Sequence, residues 1–380
     1  MAERYLAICA EGLQGVVTDE LRHLGATDIA DRYHAVHFVA SPSTLMRIAL
    51  KHSTASRLLK IMADFRAETL NDVAVRLSRA KFHEWFAPHT GYMVEGIAGD
   101  RGPGAPSSND LSKTVRLALE KVFERKGLPK PRVELGDPRV VLVAYYHAGH
   151  FTLSLDVSGK SLHKRGYRLD THPAPIKENM AAGLLRLVGY DGTQTFFDPM
   201  CGSGTIAVEA AFMALHKAPL IHRRKGDFGF EWLSDFDRDL WREAQDEVRR
   251  ERLTEPPAPL FAADIDERYV AAARQNALRA RVEKHIQFMT RSFLEHDAPA
   301  PEGILVANLP YGTRIETQGS DLKQFYIEVG NTLKRRYAGW TAGLLVAEES
   351  DHKFIGLRPK KKFKLLNGSI PCRFLVFELY

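Results

Sequence analysis

Three short stretches of this 380-residue chain hold residue types that could do chemistry. The first reads Asp198-Pro199-Met200-Cys201-Gly202-Ser203-Gly204-Thr205. It closes a strand-like segment and opens a helical one running through Phe212. Its glycines let main-chain N–H groups approach a ligand with no Cβ in the way. The Gly202-x-Gly204-x-x-Ala207 spacing also satisfies a dinucleotide-binding fingerprint. An acid placed before the turn, however, repels a pyrophosphate and suits a cationic sulfonium carrying an amino-acid tail. The acid ending the next strand, Asp264, also lies far beyond the usual spacing of roughly 20 residues, although the insertion between them accounts for that under either cofactor.

The second stretch is Ala263-Asp264-Ile265-Asp266. A carboxylate at the carboxyl end of a strand accepts both hydroxyls of a ribose, and Ile265 is placed to cover an adenine face. Asp266 is the better cap for the helix that starts near Glu267, which leaves Asp264 for the ribose. The third, Asn308-Leu309-Pro310-Tyr311, ends another strand at the same sheet edge. The lone pair of an exocyclic amine is delocalised into its ring and attacks poorly. An Asn carbonyl and the main-chain carbonyl of Leu309 accept its two protons and favour charge build-up on nitrogen as a methyl group arrives. Tyr311 stacks on a base that has left its helix.

Elements to hold these stretches are legible around them. Strands are expected at Thr195 to Asp198, Leu260 to Asp264, Ile286 to Met289, Ile304 to Asn308 and Trp340 to Ala347. Most are separated by helical patterns, which gives a doubly wound parallel α/β sheet. Lys361 to Leu366 and Cys372 to Leu379 flank Asn367-Gly368 and add an antiparallel pair at the edge. Residues 216 to 258 interrupt the sheet with Arg223-Arg224-Lys225, a charged helix and an aromatic cluster (Phe228, Phe230, Trp232) read as a local mini-core. Upstream, strands at Tyr5 to Cys9, Ala35 to Ala40 and Arg57 to Phe65 alternate with helices at Gly15 to Leu24 and Pro42 to His52, a split β-α-β unit. A second unit has a helix from Leu70 to Phe86, a strand at Tyr92 to Ala98 and a Gly/Pro/Ser-rich loop from Gly99 to Ser108. A helix at Asn109 to Lys126 and strands at Arg139 to Tyr146 and His150 to Val157 complete it. The expected domains are therefore 1–65, 66–158 and 159–380, in keeping with a chain too long for one core.

Composition narrows the classes. A hydrophobic fraction of 44% and a charged fraction of 26% are those of an ordinary globular protein, and the formal charge of +6 permits a polyanionic partner. Cys9, Cys201 and Cys372 have no paired spacing, which excludes a disulfide framework or zinc ribbon. The histidines, including His163, His172 and His222, lack metal-ligand spacing, so no metal is expected. No apolar run reaches membrane-span length and the first residues lack a signal-peptide pattern, so a cytoplasmic protein with no membrane contact is expected. Basic residues gather at Lys160 to Arg168, Arg223 to Lys225, Lys334 to Arg336, and Arg358 with Lys360 to Lys364. The first and last flank the α/β region and make Lys160, Lys164, Arg165, Arg168, Lys360, Lys361 and Lys362 candidate phosphate contacts.

Gly166-Tyr167-Arg168, Ala174-Pro175-Ile176-Lys177-Glu178-Asn179, the Asp198 to Gly204 loop and Asn308-Leu309-Pro310-Tyr311-Gly312 together carry a resemblance. Residues 160 to 380 resemble a class I methyltransferase of the group bearing an N-terminal RNA-binding THUMP domain. The likeness is greatest to bacterial 23S rRNA guanine-N2 methyltransferases, with tRNA guanine-N2 enzymes of the same architecture nearby. Related chains are often named adenine-specific DNA methylases because they share the Asn-x-Pro-Tyr turn. The resemblance implies a Rossmann-like domain, mostly parallel and seven-stranded with an antiparallel edge pair, preceded by an α+β ferredoxin-like/THUMP RNA-binding region. It implies S-adenosyl-L-methionine as cofactor and structured RNA, foremost rRNA, as partner. Pro173, Ala174 and Pro175 would lie along the methionine end. Asp198, Pro199, Met200, Cys201, Gly202, Ser203, Gly204 and Thr205 would wrap the amino-acid moiety. Asp264 and Ile265 would take the ribose and adenine, and Asn308 to Tyr311 the target amine, with Asn308 bordering the cofactor.

This chain departs from the pattern after the third strand. Such enzymes usually place an Asp near the adenine amino group, whereas Thr290-Arg291-Ser292-Phe293 stands here and leaves Ser292 to accept that bond more weakly. The implied activity is methylation of a guanine N2 amine in 23S rRNA. Its alternatives are tRNA guanine N2, adenine N6 in RNA or DNA, and a non-catalytic RNA-binding assembly factor. A covalent role for Cys201, as in C5 methylation of pyrimidines, does not suit a turn built for amines.

Overall fold

The computed structural model describes residues 2–32, 35–100, 105–168, 176–310, 319–350 and 352–380, with main chain alone at 319–321. The N-terminal half carries strands β1 (Glu3–Ile8), β2 (Thr27–Arg32), β3 (Ala35–Ala40), β4 (Arg57–Arg66), β5 (Tyr92–Ala98), β6 (Val140–His147) and β7 (His150–Asp156). Its helices are α1 (Gln14–His23), α2 (Pro42–Lys51), α3 (Leu70–Leu77), α4 (Phe82–Trp85) and α5 (Ser108–Arg125). The C-terminal half carries β8 (Phe196–Asp198), β9 (Leu260–Asp264), β10 (Ile286–Thr290), β11 (Gly303–Asn308), β12 (Trp340–Ala347), β13 (Lys361–Asn367) and β14 (Ile370–Glu378). Its helices are α6 (Glu178–Val188), α7 (Thr205–Ala214), α8 (Arg238–Arg250), α9 (Glu267–Arg279) and α10 (Gly319–Arg336).

The N-terminal strands form one seven-stranded sheet in the order β2-β3-β1-β4-β7-β6-β5. The antiparallel pairing of β4 with β7, from Leu59↔Asp156 to Arg66↔His150, joins the two expected units into a single sheet over a common core. Two elements differ from expectation. β2 was not foreseen because Thr-Asp-Ile-Ala-Asp-Arg has no apolar alternation, and as an edge strand it buries no side chain. The helix expected over Leu70 to Phe86 breaks after Leu77, where the Ser78 hydroxyl bonds back to the carbonyl of Val75. The chain then re-aims, so that Phe82 and Phe86 are both buried in the core.

The C-terminal sheet runs β10-β9-β8-β11-β12-β14-β13, with β14 antiparallel to both of its neighbours. The central strands read as apolar runs because helices cover both faces. The hairpin at the edge turns on Gly368 (φ +67°) and Ser369, one residue beyond the expected dipeptide, since Asn367 still pairs with Ile370. Strand order reverses between β8 and β11, the place where ligands bind in such sheets.

The insertion does more than close on itself. Phe228 and Phe230 meet Trp241 edge-on at 5.2 and 5.0 Å, and all three belong to the core of the N-terminal half. Trp232 stays at the surface beneath the Arg139 guanidinium, 4.9 Å from its ring. Across the same seam Arg47 pairs with Glu247 at 3.1 Å and Ser234 N–H donates to the Trp85 carbonyl at 2.9 Å. At a second seam the β1–α1 turn lies on β13: a Cβ at Gly12 would stand 2.2 Å from the Lys364 carbonyl, and Leu13 is buried in the C-terminal core.

Candidate cofactor and target-amine site

Parallel pairing brings the expected chemistry to one edge of the sheet. Ser292 follows β10, Asp264 ends β9, Asp198 ends β8 and Asn308 ends β11, and these four strands are consecutive neighbours. Asp198 and Asn308 flank the switch point.

The loop after β8 is fixed by its neighbours. Cys201 N–H donates to the Ala263 carbonyl at 2.8 Å, Gly204 N–H to the Cys201 carbonyl at 2.7 Å, and Gly202 N–H to Asp264 Oδ2 at 2.9 Å. Asn276 on α9 donates its side-chain amide to the Ser203 carbonyl at 2.9 Å. Gly204 lies at φ +80°, and a Cβ there would come within 2.8 Å of Ala273 Cβ, so only glycine lets α9 close on the loop. Pro199 is buried beside Asp198, Met200 is half-buried against the core, and Thr205 opens α7. Ala273 and Asn276 were not singled out from sequence, since a helix interior gives no sign that two of its residues hold another loop.

Asp198 is fully buried, and neither of its carboxylate oxygens meets a donor in hydrogen-bond geometry among the described residues. Burial therefore pushes its pKa well above the usual range; the main-chain N–H groups of Met200 and Ala207 offset this in part, and Asp264 adds repulsion. Such an acid calls for a cation and rejects a pyrophosphate. The same surroundings hold the Cys201 thiol protonated, chiefly by burial and next by Asp198, which removes it as a nucleophile. Asp264 Oδ1 accepts from Asp266 N–H at 3.1 Å, and burial is the main cause of its raised pKa. Asp266 caps α9 through Arg268 N–H, as expected. Ile265 is 74% exposed, an apolar side chain held open at the strand end. Ser292 receives no helix-cap bond at its hydroxyl, while the next strand end is tied in by Arg291 N–H on the Asp264 carbonyl at 2.9 Å.

On the other side of the switch point, Asn308 Oδ1 is buried without a hydrogen-bond partner among the described residues. Leu309 is buried and its N–H donates to the Leu345 carbonyl at 3.0 Å, which locks the turn onto β12. The Pro310 carbonyl accepts from the Tyr326 hydroxyl at 3.4 Å. Tyr311, Pro173, Ala174 and Pro175 lie outside the described residues.

The basic connector requires a correction. Arg165 was expected at phosphate, but its side chain is fully buried, donating to the Ser53 carbonyl and facing Glu209 at 3.4 Å, out of reach of RNA. Arg168 is turned inward as well, onto the Ile176 carbonyl at 2.5 Å and Thr205 Oγ1 at 3.1 Å. The apolar residues alternating with them, Leu162 and Tyr167, draw this stretch into the protein. Arg223 likewise serves the main chain, donating to the carbonyls of Ser158, Lys160 and Ser161. Lys164, Lys361 and Lys362 are exposed, as are Lys160 and Lys360, which pair with Asp227 and Glu378. An open cleft of about 970 Å³ lined by Arg66, Arg76, His147 and His150 lies in the N-terminal half, away from these strand ends. No helix among the described residues is long and apolar enough to cross a membrane.

Comparison with known proteins gives the arrangement its context. A family of RMKL-like methyltransferase domains matches residues 165–375, and an RlmL ferredoxin-like domain matches residues 4–59. The chain is 33% identical over 376 residues to slr0064 of Synechocystis sp., named as a candidate RNA methyltransferase, covering 99% of this chain and 97% of that one. It is 31% identical over 374 residues to the ribosomal RNA large subunit methyltransferase K/L of Vibrio campbellii, covering 97% of this chain and 52% of the relative. The chain thus spans about half the length of the K/L relatives it matches. Among solved structures, SMU.472, described as a candidate methyltransferase and solved with S-adenosylhomocysteine, superposes with a TM-score of 0.89 at 25% identity, covering 100% of this chain and 98% of that one. A Listeria monocytogenes structure described as a predicted N6-adenine-specific DNA methylase superposes with a TM-score of 0.88 at 28% identity, covering 100% of this chain and 97% of that one. The match over residues 165–375 takes in every strand end described above, and the chain belongs to the RMKL-like methyltransferase family.

Proposed function

We propose that this chain transfers a methyl group from S-adenosyl-L-methionine to the exocyclic N2 amine of a guanine in large-subunit rRNA. The observation that carries the reading is the pair flanking the switch point: a buried acid, Asp198, and a buried amide oxygen, Asn308 Oδ1, neither of which meets a donor in hydrogen-bond geometry among the described residues. The first suits the cationic end of the cofactor, the second the hydrogens of an amine. The names of the K/L relatives support rRNA as the substrate.

When bound, the cofactor supplies an electrophilic methyl group on a sulfonium. Asp198 to Thr205 would hold its amino-acid end, Asp264 its ribose hydroxyls, Ile265 an adenine face and Ser292 the adenine amino group. Pro173 to Pro175 and Tyr311 complete the proposed set at the methionine end and over the target base. Asn308 Oδ1 and the Leu309 carbonyl accept the amine protons, keep the nitrogen lone pair available and stabilise the positive charge that develops on it. A paired guanine buries its amine, so the base must leave its helix before reaching this edge. We assign RNA selection to the N-terminal half, residues 1–65 and 66–158, the latter as a THUMP module, with Lys160, Lys164 and Lys360 to Lys362 as phosphate contacts.

The test is transfer of labelled methyl from S-adenosyl-L-methionine to RNA from cells lacking this protein, fractionated into rRNA and tRNA and digested to nucleosides. N2-methylguanosine in large-subunit rRNA is the expected product. The same nucleoside in tRNA would change the substrate, and N6-methyladenosine, in line with the name of the Listeria structure, would change the base. Absence of label from both fractions would sink the reading.

A further inference from the structure

The connector motif Gly166-Tyr167-Arg168 has no part in the site described so far, and its inward-turned arginine has a job to do. We infer that Arg168 is a positioning residue for the cofactor loop, a staple that holds the first turn of α7 against the start of α6. This rests on the reading of Asp198 to Thr205 as the cofactor site.

The geometry is specific. Arg168 Nη2 donates to the Ile176 carbonyl at 2.5 Å and to Thr205 Oγ1 at 3.1 Å, and stands 3.6 Å from Glu178 Oε2. One guanidinium therefore serves three elements: its own connector, the residues that lead into α6, and the residue that follows Gly204 in the loop. Thr205 is the first residue of α7, directly after the left-handed Gly204, so the bond to its hydroxyl acts where the loop passes into the helix. The loop is pinned elsewhere by the Gly202 N–H on Asp264 and by Asn276 on the Ser203 carbonyl. Arg168 supplies a further anchor, at the loop's far end. Glu178 is itself buried and has no hydrogen-bond partner at Oε2 among the described residues, and Arg168 is the foremost of the cations, with Arg165 and Lys177, that compensate its charge.

The same contacts reach the N-terminal half. Arg165, three residues earlier, donates to the Ser53 carbonyl and faces Glu209 on α7, whose partner Tyr167 donates to it at 3.2 Å. Asn179 on α6 donates to the Thr54 carbonyl at 3.2 Å. The connector thus clamps α6 and α7 together from the side on which the N-terminal half docks, and Arg168 is its contact with the loop itself.

All three contacts fall on the single nitrogen Nη2, so a lysine at 168 keeps the charge and has donors enough, but its shorter stem does not carry them to the position between the Ile176 carbonyl and Thr205. The experiment is calorimetric binding of S-adenosylhomocysteine to the full chain, with methyl-transfer kinetics, for Arg168→Gln, Arg168→Lys and Asp198→Ala. Arg168→Gln should weaken binding about tenfold or more and raise KM for S-adenosyl-L-methionine in step, with kcat falling less than about threefold. Arg168→Lys should lie between it and wild type. Should Arg168→Gln not fold, Arg168→Lys carries the test alone, and affinity equal to wild type in that variant overturns the inference. So does a fall in kcat with KM unchanged. Asp198→Ala separates the two levels: if it still binds S-adenosylhomocysteine, the site itself has been misread, whereas loss there with unaltered binding in the Arg168 variants removes the staple alone.

Discussion

Gly202 gives its main-chain N–H to Asp264 Oδ2 across 2.9 Å, so the loop after β8 and the acid at the end of β9 are one unit. The other oxygen of the same carboxylate receives Asp266 N–H. Asp264 therefore shapes the edge as well as offering charge to a ribose, and the two duties can be separated by substitution.

Asp264→Asn retains an oxygen for one of these N–H groups and loses the charge; Asp264→Ala strands both donors. Binding of S-adenosylhomocysteine should weaken about tenfold in the first and about a hundredfold in the second, as expected for losing a charged hydrogen bond and then the loop support as well. Calorimetric titration of both variants makes the comparison. Equal losses would mean that Asp264 contributes to the ligand alone and that Gly202 does not need it.

Gly204 offers a test of the packing behind the loop. Its alanine variant meets two costs, a left-handed φ and a Cβ within 2.8 Å of Ala273 Cβ. Gly189, at φ +92° with open space around it, meets only the first. Denaturant unfolding should show Gly189→Ala less stable by about 1 kcal/mol and Gly204→Ala by about 3 kcal/mol. Ala273→Gly should cost less in the Gly204→Ala background than in wild type, because it removes the opposing methyl. Identical costs for the two glycine variants would refute close contact between α9 and the loop.

The parallel sheet was legible because its strands are apolar runs ended by acids, amides and glycines, and because the order of a doubly wound sheet puts those ends on one edge. Asp198, Asp264 and Asn308 could thus be placed from the sequence alone. What could not be read was direction. Arg165 and Arg168 look like surface charge in a run of basic residues, yet Leu162 and Tyr167 between them carry the run inward, where carbonyls and the carboxylates of Glu178 and Glu209 receive it. The fusion of the two N-terminal units also escaped notice, since the pairing of β4 with β7 is a contact across some ninety residues of chain with no local signal.

Docking of the two halves should depend on acid pH. Glu20 on α1 is buried; burial alone would raise its pKa, but Arg186, His52 and hydrogen bonds from Ser53 and Thr54 hold it at about 2, below its ordinary 4.5. Arg186 lies across the seam, on α6, at 2.9 Å. Because the folded pKa is depressed, the stabilisation is complete above pH 4.5 and is lost as pH falls toward 2. Its size is on the order of 3 kcal/mol. Glu20→Gln should be less stable at neutral pH and should lose less stability between those two values than wild type does. Parallel acid-unfolding curves for the two proteins would disprove the linkage.

Asn308 bears most directly on catalysis. Its Oδ1 is buried and meets no donor among the described residues, which suits an amide that accepts hydrogens from a ligand. Removing an acceptor that acts on developing charge should lower kcat by about a hundredfold to a thousandfold while leaving ground-state binding nearly intact. Asn308→Ala should therefore bind S-adenosylhomocysteine within about threefold of wild type, since its proposed work is on the amine. Single-turnover transfer to RNA, measured beside calorimetry on the same preparation, gives both quantities. A variant that transfers at the wild-type rate would remove Asn308 from the reaction. One that loses cofactor affinity in proportion to rate would make it a cofactor ligand, and the amine would then need another acceptor along the same strand ends.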